Sequence, residues 1–244
     1  MASTQLEICG VWDASLEATP SKLKPGTVHL WQRSLQPSSA EFEACRQLLS
    51  SEELEKAERY RVERPRYDFV LTRGTLRYLL AKYLSRAPHG ISFEYTHYGK
   101  PHLKDGGDLH FNVSHSGGLA LMGFIRGREI GVDVEKMRPM PDAMQLAERF
   151  FSVSEREDLR AVPGDEVSKA FFRCWTRKEA YIKAKGEGLS LPLHQFDVSI
   201  EPEPKRVLLA TRPDPTEAAR WMLYNIAVNP EYVSAMAVGT NPQS

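Results

Sequence analysis

Two short stretches constrain this chain more than anything else in it. The first is Gly131-Val132-Asp133-Val134-Glu135-Lys136. The second is Trp175-Thr176-Arg177-Lys178-Glu179-Ala180-Tyr181-Ile182-Lys183-Ala184-Lys185-Gly186. The first alternates apolar and acidic residues, which is the period of a β-strand. Asp133 and Glu135 then point one way while Val132 and Val134 enter a core. The second has helical spacing, and Glu179 and Lys183, four residues apart, share a face. If the two faces meet, three carboxylates and an ammonium form an oxygen-rich cation site. Mg²⁺ prefers a few carboxylates plus substrate phosphate oxygens, so the set suits holding that ion and a phosphate together. Each block alone also has an ordinary reading: a solvated strand face, and a helix-surface ion pair worth ~0.2–0.5 kcal/mol.

Upstream lies Leu109-His110-Phe111-Asn112-Val113-Ser114-His115-Ser116-Gly117-Gly118, after which an apolar run resumes as Leu119-Ala120-Leu121-Met122-Gly123-Phe124. This reads as strand, polar turn, strand. A turn rich in Ser, His and Gly presents N–H groups and short donors to an anion. His115 is either a phosphate contact or a histidine satisfied within the turn.

With 244 residues and 27.6 kDa, the chain has ample length for one large domain or two smaller ones. Basic and acidic residues number 32 each, so no bulk attraction to nucleic acid or membrane is indicated. No apolar run approaches the ~20 residues needed to span a bilayer, and Met1 to Gly10 lacks a signal-peptide pattern. The three cysteines (Cys9, Cys45 and Cys174) have no metal spacing, which favours reduced thiols in the cytoplasm.

The first ~27 residues read as a leader with little commitment to structure. Strands are expected at Val28–Trp31, Ile91–Tyr95, Phe196–Ile200, Trp221–Val228 and Tyr232–Val238, and Pro101–Gly107 reads as a loop. Ser50 and Glu53 fit a capping box opening a helix through about Tyr60. A long helix follows from Tyr67 to Leu84 with Phe69, Leu76, Leu80 and Tyr83 on its apolar stripe. Further helices are expected near Ala143–Phe150, Ser154–Val162 and Glu166–Lys185, and a frayed tail from Gly239 to Ser244.

Phe111-Asn112-Val113-Ser114-His115-Ser116, then Gly131-Val132-Asp133-Val134-Glu135, then Trp175-x-x-Lys178-Glu179-Ala180-x-x-Lys183-x-x-Gly186-x-Gly188-Leu189 resemble, in order and spacing, the 4′-phosphopantetheinyl transferase superfamily. The likeness extends from about Val28 to Val238, taking in Tyr98-Gly99-Lys100-Pro101, Arg149-Phe150-Phe151-Ser152 and Leu189-Ser190-Leu191-Pro192-Leu193. The chain length resembles the surfactin-synthetase-activating, Sfp-like branch. The resemblance implies an α+β (mixed α/β) fold of two similar lobes in pseudo-twofold arrangement, with the ligand cleft between them. Residues 1–127 would form the N-terminal lobe and 128–244 the C-terminal lobe carrying the carboxylates.

It also implies the chemistry. A carrier-protein serine hydroxyl would attack the β-phosphate of coenzyme A, taking up phosphopantetheine and releasing adenosine 3′,5′-bisphosphate. Asp133, Glu135 and Glu179 would hold Mg²⁺ (or Mn²⁺), and Lys183 would contact the pyrophosphate. Glu179 or a metal-bound water would accept the serine proton. Coenzyme A would be held by Lys56, Arg73, Lys100, Ser114 and His115 together with Asp133 and Lys183. Where relatives carry a lysine one turn before Lys56, this chain has Glu53, so Arg59 or Arg73 is expected to compensate. Arg73 and Arg77, four residues apart, read equally as a solvated basic face. Lys178 reads as a helix-surface group or a ligand, Phe171, Phe172 and Trp175 as core, and Cys174 as a small buried hydrophobe. The implied partners are coenzyme A and an apo-acyl or peptidyl carrier protein, with a monomeric enzyme in the cytoplasm. Two alternatives use the same residues: a Mg²⁺-dependent phosphohydrolase acting on coenzyme A or a nucleotide, and a non-catalytic coenzyme A or carrier-binding module.

Overall fold

The computed structural model describes residues 7–36 and 38–240. Its first half holds β1 (Glu7–Asp13), β2 (Thr27–Ser34), α1 (Ser39–Arg46), α2 (Ser51–Glu58) and α3 (Glu63–Leu84). The short strands β3 (Phe93–Tyr95) and β4 (Pro101–Leu103) follow, then β5 (Leu109–Ser116) and β6 (Leu119–Arg126). The second half holds β7 (Ile130–Lys136), α4 (Ala143–Phe150), α5 (Val153–Ala161), α6 (Val167–Lys185), β8 (Phe196–Val198), β9 (Leu208–Thr211), β10 (Trp221–Asn225) and β11 (Tyr232–Gly239). One sheet runs β1-β2-β6-β5 and another β10-β11-β7, with β3-β4 and β8-β9 as separate pairs.

Alternation along the strands explains how these layers stack. Ala120, Met122 and Phe124 of β6 face the first core, where Leu76, Leu79 and Leu80 of α3 pack on them. Leu121 and Ile125 face the other way, into a cluster with Val28 and Leu30 of β2, Ile130, Val132 and Val134 of β7, and Met236 and Val238 of β11. The two sheets therefore share one apolar seam, with α3 outside the first sheet and α6 outside the second. Val132 and Val134 lie in that seam, as their alternation requires, so Asp133 and Glu135 are presented to α6.

Several boundaries differ from the sequence reading. Part of the expected leader is the strand β1, which pairs parallel with β2 from Glu7↔Thr27 onward; residues 1–6 lie outside the described part, as does 241–244 of the expected tail. Pro101–Leu103 is a strand paired with Phe93–Tyr95, where a loop was expected. Helix α3 begins at Glu63, ahead of Pro65. A proline in the first turn breaks no intrahelical bond, because those N–H groups have no partner there. Helix α1 was not foreseen, although Ser38 and Glu41 form a capping box as Ser50 and Glu53 do for α2. The short strand β9 was also missed.

Candidate active site

A glycine brings the two diagnostic stretches together. A Cβ at Gly131 would lie 2.1 Å from the Ala180 carbonyl oxygen and 2.3 Å from the Ala184 nitrogen, so only glycine lets β7 lie directly against α6. Ala235 and Ala237 of β11, fully buried, continue that small-residue floor. On this contact Lys183 Nζ lies 2.6 Å from Asp133 Oδ1 and donates to Ser114 Oγ at 3.0 Å. Ser114 Oγ in turn donates to the same Asp133 oxygen at 2.7 Å. Asp133 is 3% exposed, and its second oxygen, Oδ2, is buried without a hydrogen-bond partner.

The other two carboxylates carry the electrostatic signature of an incompletely neutralised group. Burial, then the charges of Asp133 and Glu135, pushes Glu179 up to about 7, against the pull of Lys183. Burial likewise raises Glu135, with Asp133 adding to it, while the Ser116 hydroxyl and the cations Arg138 and Lys183 oppose the rise. Among the described residues no three His, Cys, Asp or Glu side chains converge on a common metal-holding point. The three acids are electrostatic neighbours, with Lys183 seated on Asp133.

The segment expected to be a polar turn is strand through Ser116, and only Gly117 and Gly118 make the turn, both at positive φ. Consequently Asn112, Ser114 and Ser116 share one face of β5. They accept the backbone N–H groups of Val132 (2.9 Å), Val134 (3.4 Å) and Lys136 (3.3 Å) respectively. The free edge of β7 is thus satisfied by side chains at a constant offset of 20 residues, in place of a strand partner. Ser116 also donates to Glu135 Oε2 at 2.6 Å. Sequence reasoning did not single out Ser116 as a partner of Glu135. The signal was there: Asn112, Ser114 and Ser116 have the same period of two as Asp133 and Glu135.

The basic residues separate into different roles. Lys56 is exposed on α2, its ammonium 5.2 Å from the Phe69 ring centroid. Arg73 stacks on Phe93 at 4.5 Å, reaches Tyr95 Oη at 3.4 Å and Glu53 Oε1 at 3.5 Å, and leaves Nη1 without a hydrogen bond. Arg77 is neither solvated nor a free ligand group. At 3% exposed it donates to Glu53 at 2.5 Å and to the carbonyls of Pro88 and Ile91. Glu53, the departure from the family pattern, is the buried partner of both arginines. Arg59 is exposed and paired with Glu55 at 3.7 Å.

Lys100 spans from the loop before β4 to the end of α6, donating to Ala184 O at 2.9 Å and to Glu129 at 2.6 Å. His110 lies 3.1 Å from Glu129, and the donors His110 and Lys100 outweigh the larger effect of burial to hold that carboxyl at about 2. His115 stands on the opposite face of β5 from the serines. Partial burial lowers its pKa, with Asp68 of α3 raising it and Lys183 of α6 lowering it. Lys178 is fully buried on Glu155 and so is neither surface group nor ligand. Phe171 and Phe172 are core residues with Trp175 packed against them, and burial raises the Cys174 thiol well above its ordinary range.

The family model described as 4′-phosphopantetheinyl transferase superfamily matches residues 129–237, and one described as 4′-phosphopantetheinyl transferase, N-terminal, matches residues 33–123. The 4′-phosphopantetheinyl transferase HetI of Nostoc sp. is 39% identical over 215 residues, covering 86% of this chain and 87% of that protein. The 4′-phosphopantetheinyl transferase Sfp of Bacillus subtilis is 36% identical over 163 residues, or 67% of this chain and 71% of its own. The 4′-phosphopantetheinyl transferase AcpT of Salmonella typhimurium is 37% identical over 110 residues, 45% of this chain and 56% of that protein.

Proposed function

The chain belongs to the 4′-phosphopantetheinyl transferase superfamily, and from that membership we propose a Mg²⁺-dependent transfer of 4′-phosphopantetheine from coenzyme A to a serine of an apo-acyl or peptidyl carrier protein. One observation carries the metal and the site: a buried Asp133 oxygen without a partner, beside two carboxylates held above their ordinary pKa. A pyrophosphate brings more negative charge to this cleft, so the acids are matched to a divalent cation and not to the substrate alone. Asp133, Glu135 and Glu179 would hold Mg²⁺ or Mn²⁺ after side-chain rotation. Bound there, the ion would polarise the phosphoryl group and offset charge on the leaving bisphosphate.

The remaining steps belong to the chain's own groups. Lys183 directs its ammonium at the pyrophosphate oxygens as a point charge, with Ser114 and Asp133 fixing its position. The serine oxygen of the carrier attacks the β-phosphorus as the bond from that phosphorus to the bridging oxygen breaks. Its proton would pass to Glu179 as general base, the bound cation keeping that carboxylate in the charged form that accepts it. Lys56, Arg73, Ser114 and His115 would hold the phosphates of coenzyme A, Arg73 through its unpaired Nη1 and its stack on Phe93. Lys100 would serve the adenine end chiefly by holding the loop before β4 on α6.

The lobes divide between residues 127 and 128, in keeping with β6 ending at Arg126 and β7 starting at Ile130. We propose a monomer. Among the described residues no helix is long and apolar enough to cross a membrane. We assign the cytoplasm, in keeping with unpaired thiols at Cys45 and Cys174. The test is the intact mass of apo-carrier incubated with enzyme and coenzyme A, with Mg²⁺ or with EDTA. A gain of one phosphopantetheine only with metal supports the reading. Coenzyme A consumed with the carrier unmodified makes the chain a phosphohydrolase, and coenzyme A bound without turnover makes it a binding module.

A further inference from the structure

The three side chains that seal the edge of β7 are not of one kind. Asn112 faces Val132 and only accepts, which an amide oxygen does well. The other two rungs adjoin the acids, and each is a serine. A hydroxyl both accepts and donates: it takes the strand N–H and gives its one proton to a carboxylate. Ser114 engages Asp133 Oδ1 and leaves Oδ2 without a partner. Ser116 engages Glu135 Oε2 at 2.6 Å while accepting Lys136 N–H at 3.3 Å. Among the described residues the only other polar partner of Glu135 is Arg138, 3.8 Å from the same oxygen. One oxygen of each acid is thus tied, and the other is left to a ligand.

We infer that Ser116 is a positioning residue for Glu135, holding Oε2 so that Oε1 is presented to the divalent cation. The inference rests on the reading of these carboxylates as the cation site. The turn that follows keeps the serine in place. A Cβ at Gly117, with φ +55°, would lie 2.4 Å from Lys136 Cβ, so glycine alone lets the turn rest on β7. The Tyr232 hydroxyl closes the other side by donating to Gly117 O at 2.8 Å. The hydroxyl of Ser116 is consequently fixed by its own strand, by the neighbouring strand and by the turn. Hydrogen bonds of this sort to ligating carboxylates typically contribute about 10–100-fold to metal affinity.

The test is Mn²⁺ binding, read from the electron paramagnetic resonance of the free ion, with coenzyme A present and no carrier protein. Thermal unfolding is followed in parallel. Ser116→Ala and Ser116→Cys, whose thiol donates weakly, should each weaken Mn²⁺ binding about tenfold or more, and Ser116→Thr should stay within about twofold of wild type. Asn112→Ala removes a rung with no carboxylate on it. It should lower the unfolding temperature without changing Mn²⁺ affinity, which separates aiming the acid from holding the strands. Ser116→Ala and Ser116→Cys proteins that fold and bind Mn²⁺ as tightly as wild type would overturn the inference and leave the cation site standing. A wild-type protein that takes up no Mn²⁺, or whose uptake survives Asp133→Ala, would overturn the cation reading and this inference with it.

Discussion

Helix α6 carries two lysines five residues apart, each on a buried carboxylate, and the pairs differ in how completely they are satisfied. Lys178 Nζ lies 2.7 Å from Glu155 and donates to the carbonyls of Leu193 and Phe196, each at 2.7 Å. Glu155 also accepts from Ser152 N and Val198 N. Every polar group is used, and neither side chain is more than 1% exposed. Lys183 and Asp133 are as close, at 2.6 Å, yet the lysine is 28% exposed and Asp133 keeps an unpartnered oxygen. The first pair ties α5 and the segment around β8 to α6; the second stands with capacity to spare. Completeness of hydrogen bonding, more than charge or distance, separates the structural pair from the one proposed to meet a ligand.

That contrast is broken most directly at Lys178. Lys178→Met keeps the stem and strands a buried carboxylate, so unfolding in urea should show a loss of ~3–5 kcal/mol. A loss below ~1 kcal/mol would mean that the pair is dispensable and the comparison fails. Lys183→Met should behave oppositely. Transfer should fall by ~10²–10³-fold, about the effect of losing one preorganised donor to developing charge. Stability should fall by less than in Lys178→Met, because Asp133 keeps the Ser114 hydroxyl as a donor and the lost ammonium already reaches solvent. A stable enzyme of undiminished rate would remove Lys183 from the chemistry.

The meeting of the Asp133 strand with the Lys183 helix was more legible in the sequence than the surroundings of the other charges, for a physical reason. Asp133, Glu135, Glu179 and Lys183 are placed by backbone periods of two and four, and those periods survive folding wherever strand and helix form. What brings the faces together, the absent side chain at Gly131, is a single residue whose role appears only when α6 lies on it. Arg73, Arg77 and Glu53 are placed by tertiary packing instead. Read along the helix, the two arginines look alike. In the fold, Arg77 is consumed by Glu53 and two carbonyls while Arg73 is only partly engaged. Lys178, which reads along the helix as a surface group or a ligand, owes its buried role to Glu155, over twenty residues away in the chain and directly beneath it. The strand β1 stayed hidden because its partner fixes it and its own alternation is weak.

A smaller effect sharpens the comparison through pH. Glu179 has a folded pKa of about 7 against an ordinary 4.5, so the folded state binds this proton more tightly than the unfolded one. Its contribution to stability is present below about 4.5 and is lost as pH rises towards 7, after which the curve is flat. Glu135, also raised, acts in the same sense. In EDTA the wild type should lose ~1–2 kcal/mol across that window, the ideal linkage being discounted for partial exposure. Glu179→Gln should lose less and be the more stable protein at pH 8. Adding Mg²⁺ should shrink the difference, since a cation favours the charged form. Parallel pH curves for wild type and variant would show that Glu179 carries no such strain, and the fully satisfied Glu155 supplies the contrast: no similar gain is expected from Glu155→Gln.

The smallest effect is expected at His115, which shares a strand with the serines but not a face. Its pKa is lowered, chiefly by burial, so the ring is neutral at pH 7 and offers one N–H and no full charge. A neutral donor that touches a phosphate equally in ground and transition states should affect binding alone. His115→Ala should therefore raise the coenzyme A KM several-fold, about 1 kcal/mol, with kcat unchanged. The ratio of mutant to wild-type KM should be constant from pH 7 to 8.5, because the ring does not titrate there. An unchanged KM would return His115 to a turn-side residue with no ligand. A fall in kcat equal to that of Lys183→Met would put it among the groups that meet the transition state, and would extend the unsatisfied side of the site across β5 to its second face.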